Sequence, residues 1–284
     1  MSDRTERFQT PGPARLHVEL PRGRVRVIAG ADGETLVELT AIHGDTTARE
    51  LIARAQVELR GDEVVVLVER TRFQVFGLGG GIEAVVTVPP LSTARVSTGS
   101  GEIETQGALG DVRAHTGSGA IRLAAVGEAT ARTGSGAIVV DKATGSVDAK
   151  TGSGKIAIGQ AGGDAQVTTG SGEIVLGRVA GKADVTTGSG RVEVDEAGDG
   201  LKAFSASGAI SVRRADHGKV LARTISGRVA VGVAEGAAAY LDISTMSGRV
   251  HSELETCGPP ADGEKAVELR IETMSGNVDI TRAA

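Results

Sequence analysis

Thr98-Gly99-Ser100-Gly101 is the stretch that decides the fold, because the same four-residue pattern recurs along most of the chain. Unaltered copies begin at five further threonines, and degenerate copies begin at four later positions. These starts are Thr116, Thr133, Thr151, Thr169 and Thr187, then Ser205, Thr224, Thr245 and Thr273. Successive copies are 18, 17, 18, 18, 18, 18, 19, 21 and 28 residues apart. A nearly fixed period of this length is typical of one structural unit that stacks on copies of itself.

A β-strand is predicted directly after each tetrad. Five residues after each start, the side chain is always β-branched: Ile103, Ile121, Ile138, Ile156, Ile174, Val192, Ile210, Val229, Val250 and Val278. Two residues further along, most side chains are apolar, while the residues between the two columns have no consistent character. Alternation with a period of two is the pattern of a strand with one buried face, and β-branched residues suit it.

A second strand is predicted before each tetrad, because apolar residues stand two and four positions ahead of it, as Ala149 and Val147 do in the fourth copy. The predicted inward positions, counted from the first tetrad residue, are then −4, −2, 0 and +2, followed by +5 and +7. The one-residue slip falls on the glycines, which tolerate positive φ, so the tetrad is predicted to be a bent corner or bulge. The third tetrad residue is serine in all ten copies, and we expect these serines to form a hydrogen-bonded ladder along the stack.

The fold class that follows is all-β, a parallel β-solenoid. Eighteen residues at ~3.3 Å each give a coil with a perimeter below ~60 Å, enough for two or three short faces around an aliphatic core. A low-complexity linker is excluded because the apolar columns keep their register across ten copies. Parallel crossovers are predominantly right-handed, so we expect a right-handed solenoid, although left-handed helices of similar coil length exist.

The domain organisation expected from the sequence has three parts. Residues 1–14 are polar and are predicted to be a flexible lead-in; residues 15–90 form degenerate coils and a cap; residues 91–284 form the regular solenoid. Within the cap, the alternation from Leu16 to Val27 predicts a coil. Asp45 is expected to cap a short helix over residues 46–55, and Gly61-Asp62 is expected to turn a hairpin between residues 56–60 and 63–69. Residues 253–266 are an insertion in the ninth coil.

Composition excludes several classes of function. The chain has 284 residues, a net charge of −5 and only 2% aromatic residues, and it has no run of Lys and Arg. Nucleic-acid binding is therefore not expected, since phosphate tracking needs a basic patch and single strands need stacking platforms. No apolar run reaches the ~18 residues of a membrane span, and no signal peptide is recognised. One cysteine excludes an internal disulfide framework. We expect a cytoplasmic protein.

No catalytic, cofactor-binding or metal-binding residue is predicted. Gly152-Ser153-Gly154-Lys155 resembles part of a P-loop, but Ile156 stands where Ser or Thr is required, and the glycine run 77–81 has no helix to follow it. The tetrads lack the aspartate that calcium-binding repeats need. Cys257 has no histidine near it in the sequence. The five histidines lack metal-ligand spacing and are expected on the surface: His17, His43, His115, His217 and His251.

The repeated pattern T-G-S-G-x-[IV]-x-[VIL], which ends in T-M-S-G-N-V-D-I at residues 273–280, resembles the bacterial putative-adhesin family of β-strand-repeat domains of unknown function. The resemblance covers about residues 15–282. It implies a β-solenoid, no established activity and no catalytic residues to transfer.

The function expected from the sequence is that of a non-enzymatic binding or scaffold protein that uses its outward columns as a contact surface. The alternative is a self-assembling cytoplasmic element similar to bactofilin filaments. The expected partner is another protein, or a second copy bound through the solenoid end. The tenth repeat should leave Val278 and Ile280 exposed at that end, where either the 253–266 insertion covers them or two copies associate.

Overall fold

The computed structural model describes residues 3–30, 33–69, 81–254 and 266–283. Its strands form the parallel β-solenoid that the repeat predicts, with one α-helix and one 3-10 turn as the helical elements of these ranges. The chain comprises two compact units, Met1–Thr144 and Gly145–Ala284.

The described residues of the first unit form eleven strands. They are β1 (Arg4–Gln9), β2 (Arg15–Ala29), β3 (Glu34–Ala41), β4 (Gln56–Arg60), β5 (Glu63–Leu67), β6 (Ile82–Val88), β7 (Thr93–Gln106), β8 (Val112–Ser118), β9 (Ile121–Val126), β10 (Ala129–Ser135) and β11 (Ile138–Ala143). The coil predicted near the N-terminus is β2, which runs parallel to β7 in continuous register from Arg15 opposite Thr93 to Ile28 opposite Gln106. The other edge of β2 is occupied by β5 and β6, so this coil is paired on both sides.

The predicted helix and hairpin of the cap are both present. Helix α1 spans Thr46–Arg54, and the Asp45 carboxylate accepts a hydrogen bond from the Ala48 amide at 2.8 Å. At the other end of the helix, the Arg4 guanidinium donates to the carbonyl of Ala55 and adds a second hydrogen bond to the carbonyl of Ile52, which already accepts the Ala55 amide. Strands β4 and β5 form the antiparallel hairpin.

The N-terminal segment differs from the predicted flexible lead-in. Residues Arg4–Gln9 form β1, which pairs antiparallel with β3 along its whole length. No side chain of β1 is fully buried, so the strand is held by backbone pairing and by Arg4, and it lacks the apolar alternation from which sequence reasoning could detect it. The glycine run at 77–80 lies outside the described residues.

Fourteen strands lie in the part of the second unit that the structure describes. They are β12 (Val147–Ser153), β13 (Ile156–Ala161), β14 (Ala165–Ser171), β15 (Ile174–Val179), β16 (Lys182–Ser189), β17 (Val192–Ala197), β18 (Gly200–Ser207), β19 (Ile210–Ala215), β20 (Gly218–Ser226), β21 (Val229–Ala234), β22 (Ala238–Ser247), β23 (Val250–Ser252), β24 (Ala266–Ser275) and β25 (Val278–Ala283). Each coil supplies one strand to each of two parallel columns, so equivalent positions of neighbouring coils lie opposite each other.

The tetrad is a corner, as predicted, but its inward residue is the threonine and not the serine. Thr151 is buried, as are the apolar residues at −4, −2, +5 and +7, whereas Ser153 is exposed. A further buried column at +10, which includes Ala161 and Val179, was not predicted. The fourth tetrad residue has positive φ, +150° at Gly172, where a Cβ would lie 2.1 Å from the carbonyl oxygen of Gly154. Glycine is therefore required at this position.

The expected serine ladder is replaced by a threonine ladder. Thr116 Oγ1 donates to the carbonyl of Gly101 in the preceding coil and to the carbonyl of Ser118, both at 3.0 Å. Thr133 and Thr224 make the equivalent bond to the preceding coil. The ladder is incomplete, because the buried hydroxyls of Thr98, Thr187, Thr245 and Thr273 have no hydrogen-bond partner among the described residues.

The last coils stack out of chain order. Strand β24 pairs with β20 on one side and with β22 on the other, and β25 lies in the same way between β21 and β23. The tenth repeat is thus inserted between the eighth and the ninth, and Val278 and Ile280 are fully buried. The prediction that these two residues lie exposed at the end of the core is wrong, because the ninth coil covers them.

Candidate functional site: the terminal face of the second unit

The candidate site is the end of the stack formed by the ninth coil, which we call the terminal face and define by β22 and β23. Strand β22 pairs with β24, and no other described strand pairs with its outer edge. Its ten residues therefore present a row of backbone N–H and C=O groups along that edge. Such an edge is a template for pairing with another chain.

The backbone N–H and C=O groups that point toward the open edge of β22 belong to every second residue. In the regular coils the amide at −4 donates to the carbonyl at −5 of the following coil, as Val147 does to Asp164 at 2.8 Å. The same phase in β22 turns the backbone groups of Leu241, Ile243 and Thr245 away from β24 and toward the open edge. The side chains of these three residues point along the inward column and are half-buried, because no further coil covers them.

A row of exposed apolar side chains adjoins this edge at the corner. The second tetrad residue is glycine in the first six copies, but it becomes Ile225, Met274 and Met246 in the last three coils of the stack. These three residues are in register and are 44%, 53% and 80% exposed. Tyr240, on the outward face of β22, is 70% exposed, and Val250 of β23 is 48% exposed. Large apolar side chains that cluster in this way on a surface mark an interaction site.

Charge is sparse on β22. Asp242 is its one ionisable residue besides Tyr240, and its carboxylate lies 3.6 Å from Nε of Arg270. Arg270 also bonds Glu272 at 3.0 Å, and Glu272 accepts from Arg223. The hydrogen bond from Arg223, together with Arg270, lowers the pKa of Glu272 from its ordinary value of 4.5. The charged groups of Asp242, Arg270, Glu272 and Arg223 are thus paired with one another.

Two grooves of the molecule have charged walls. A groove of about 780 Å³ in the second unit is lined by Arg178, Glu196, Arg213 and Asp195. Arg178 bonds Glu196 and Arg213 bonds Asp195, both at 2.5 Å, and the bond to Glu196 raises the pKa of Arg178. A groove of about 810 Å³ in the first unit carries the pair Arg24–Glu102 at 3.1 Å. In both grooves these charged groups neutralise each other.

The residues considered for chemistry in the sequence remain apart. His17 lies 3.0 Å from Glu19, His217 and His251 each lie 3.9 Å from a carboxylate, and Lys155 pairs with Glu173 at 2.8 Å. Within the described ranges, no group of three or more His, Cys, Asp or Glu residues is arranged to hold a metal ion. Cys257 lies outside the described residues, as does most of the 253–266 insertion.

No helix in the part of the chain that the structure describes is long and apolar enough to cross a membrane. The terminal face itself was not identified from the sequence, although two signals for it were present. The tetrad changes from Gly to Ile or Met at its second position, and the ninth coil has Ser252 where most other coils have an apolar residue at +7.

Comparison with known proteins places the chain in a family. Among curated protein sequences, none matches it. A putative adhesin from Parabacteroides distasonis shares 12% identity over 97% of this chain and 96% of its own, with a TM-score of 0.42. A putative adhesin from Parabacteroides merdae shares 14% identity over 95% of both chains, with a TM-score of 0.41. The family model described as Toastrack DUF4097 matches residues 37–281. The resemblance seen in the tetrads is therefore confirmed, and the chain belongs to the Toastrack DUF4097 family.

Proposed function

We propose that this protein is a non-enzymatic binding protein whose terminal face docks a protein partner. The observation that carries the proposal is that a ten-residue strand whose outer edge has no described partner adjoins a row of exposed large apolar side chains. The cytoplasmic location expected from the sequence is part of the same proposal, and fractionation of cells that express the protein tests it.

The two features supply different parts of a binding surface. A partner strand that adds to β22 gains affinity from main-chain hydrogen bonds, while side-chain contacts give specificity. Tyr240, Met246 and Met274 supply such contacts, since aromatic residues and methionine are enriched in protein interfaces. Lateral columns suit this role less well, because many of their charges pair between neighbouring coils.

A second candidate function is self-assembly, as in bactofilin-like structural elements. The open edge of β22 favours it, because pairing of identical edges needs no other protein. A filament requires two different complementary ends, whereas a closed dimer requires one self-complementary face.

Site-specific photo-crosslinking in native lysate tests the proposal. A photo-reactive residue replaces Ser244, which is exposed on β22, and in a matched variant it replaces Lys150, which is exposed at the equivalent position of another coil. We expect a defined protein adduct, either to another protein or to a second copy, from position 244 only. Absence of adducts at 244, or the same adducts from both positions, would contradict the proposal.

A further inference from the structure

The structure points to the occupant of the terminal face: we infer that it is a second copy of this chain, bound about a two-fold axis with β22 antiparallel to β22 and Ile243 opposite Ile243. This inference rests on the proposed function, because it identifies the partner of the same face. It specifies a closed dimer and not a filament.

The first step of the argument is the lack of edge protection. Edge strands usually carry lysine, proline or a bulge that prevents pairing. Strand β22 reads Ala-Ala-Tyr-Leu-Asp-Ile-Ser-Thr-Met-Ser, with one charged residue, no proline and continuous pairing to β24 up to the corner. The backbone groups of Leu241, Ile243 and Thr245 face the open side, so added strands can bond without any change in β22.

The second step concerns the kind of symmetry. Head-to-tail stacking needs a free coil edge that differs from the terminal face. In the first unit, coil β2 has both edges paired, and the strands with one described partner, β1 and β4, carry charged residues such as Arg7 and Glu58. These edges do not match the apolar terminal face. A face that pairs with the same face of a second copy needs no second free edge, and the assembly closes as a dimer.

The third step fixes the register. To keep the inward column continuous, odd-numbered residues must oppose odd-numbered residues, because a slip by one exchanges the two faces. Four central registers, those centred on residues 241 to 244, satisfy this condition. The one centred on Ser244 places Tyr240 opposite Gly248, outside the strand. The one centred on Asp242 places two carboxylates opposite each other, which is destabilising. The one centred on Leu241 opposes Thr245 with Ala237, outside the strand. The register centred on Ile243 uses residues 239–247 of both copies.

The Ile243 register also matches the side chains. Asp242 then lies opposite Ser244, so no like charges meet. Tyr240 lies opposite Met246 at both ends of the contact, which brings together the two most exposed apolar residues of the strand. Sulfur–aromatic contacts of this kind are favourable. The half-buried Ile243 meets its own copy at the centre and extends the core across the two-fold axis.

The test combines solution mass with cysteine crosslinking, both on the full chain. We expect light scattering to show a mass that rises with concentration from 28.8 kDa to twice that value and no further. Ile243→Lys places two like charges at the centre and should abolish the rise. Gln166→Lys, which adds the same charge at an exposed position of β14, should leave it unchanged.

Crosslinking keeps the inference testable if Ile243→Lys fails to fold. In a Cys257→Ser background, Ile243→Cys should form a disulfide dimer on oxidation, since hydrogen-bonded antiparallel pairs hold Cα atoms ~5.5 Å apart, within disulfide range. Tyr240→Cys alone should not, whereas the pair Tyr240→Cys and Met246→Cys should.

The remaining outcomes overturn the inference. A parent chain that stays at 28.8 kDa up to the highest attainable concentration means that the face is covered by the chain's own residues 255–265 or is kept for another protein. In that case adducts from position 244 with a different protein would retain the proposed function while rejecting the dimer. A mass that grows beyond two copies would replace the dimer with a filament.

Discussion

Each corner threonine places a hydroxyl inside the core at the point where the backbone bends. Thr116 satisfies that hydroxyl by donating to Gly101 and Ser118, whereas the equally buried Thr187 hydroxyl has no partner among the described residues. The methyl group packs in both cases. The two positions therefore separate the contribution of the hydrogen bond from that of the packing.

Replacement of these two threonines by valine, which has nearly the same shape, should have opposite consequences. We expect Thr116→Val to lower the free energy of unfolding by about 0.5–1.5 kcal/mol, the usual net contribution of a hydrogen bond. Thr187→Val should be neutral or stabilising, because it removes a buried polar group that is not paired. Urea denaturation measures both, and a loss at Thr187 as large as that at Thr116 would contradict the assigned partners.

The assignment of inward and outward faces can be tested at two adjacent residues. Ile156 is fully buried, while the side chain of Lys155 is 52% exposed and pairs with Glu173. We expect Ile156→Ala to cost about 2–5 kcal/mol through lost burial and a residual cavity. Lys155→Ala should cost less than about 1 kcal/mol, as is usual for an exposed ion pair. Equal losses in thermal or urea unfolding would be incompatible with these faces.

At the scale of the element, ion pairs join equivalent positions of neighbouring coils. Arg178–Glu196, Asp184–Lys202, Asp195–Arg213, Lys219–Glu268 and Arg223–Glu272 all follow this rule. Each exposed pair contributes little to stability. Their value lies in specificity, because a coil docked on the wrong neighbour would lose these pairs and place like charges together.

The pair around Glu272 predicts a pH dependence. Its pKa is lowered in the folded protein, so its stabilising contribution is fully present above 4.5 and is lost as the pH falls through the lower, folded value. We expect Glu272→Gln to be less stable than the parent at pH 7, with a difference that shrinks below pH 4.5. Unfolding by urea at several pH values measures it, with the exposed Glu128→Gln as control. A difference that does not change with pH would contradict the Arg223 contact.

Local signals in the sequence were sufficient to locate most strands, corners and the helix along the chain. The tetrads located the corners, the Ile and Val columns located the strands, and Asp45 located the start of α1. Features that depend on pairing between distant parts of the chain could not be predicted from the sequence. Strand β1 has no buried alternation, and the order of the last coils depends on which strand pairs with β20. The gap of 28 residues before Thr273 showed that extra chain was present, but it did not show that the tenth coil lies between the eighth and the ninth.

At the scale of the whole molecule, the two units differ in how they cover the apolar core at an end of a stack of coils. A stack of coils buries its apolar columns everywhere except at an end, where the last coil has one neighbour instead of two. In the first unit, β2 is followed by β5 and β6, and the cap with α1 adds a helix whose apolar face is buried. In the second unit, the chain places its final repeat inside the stack and leaves the ninth repeat, with fewer apolar side chains, as the outermost layer.

This inverted order predicts which part of the second unit opens first. Strand β24 is paired on both sides and carries the fully buried Leu269 and Ile271, whereas β22 is an edge strand with half-buried Leu241 and Ile243. Amides in edge strands with few buried contacts exchange through low-energy local opening. We expect residues 266–275 to exchange hydrogen for deuterium more slowly than residues 238–247, although they lie closer to the end of the chain. The comparison is made by mass spectrometry at a protein concentration below the onset of association, because pairing of β22 with another copy would slow its exchange. Stacking in chain order requires the reverse, with 266–275 as the faster segment, and that result would reject the insertion of the tenth repeat between the eighth and the ninth.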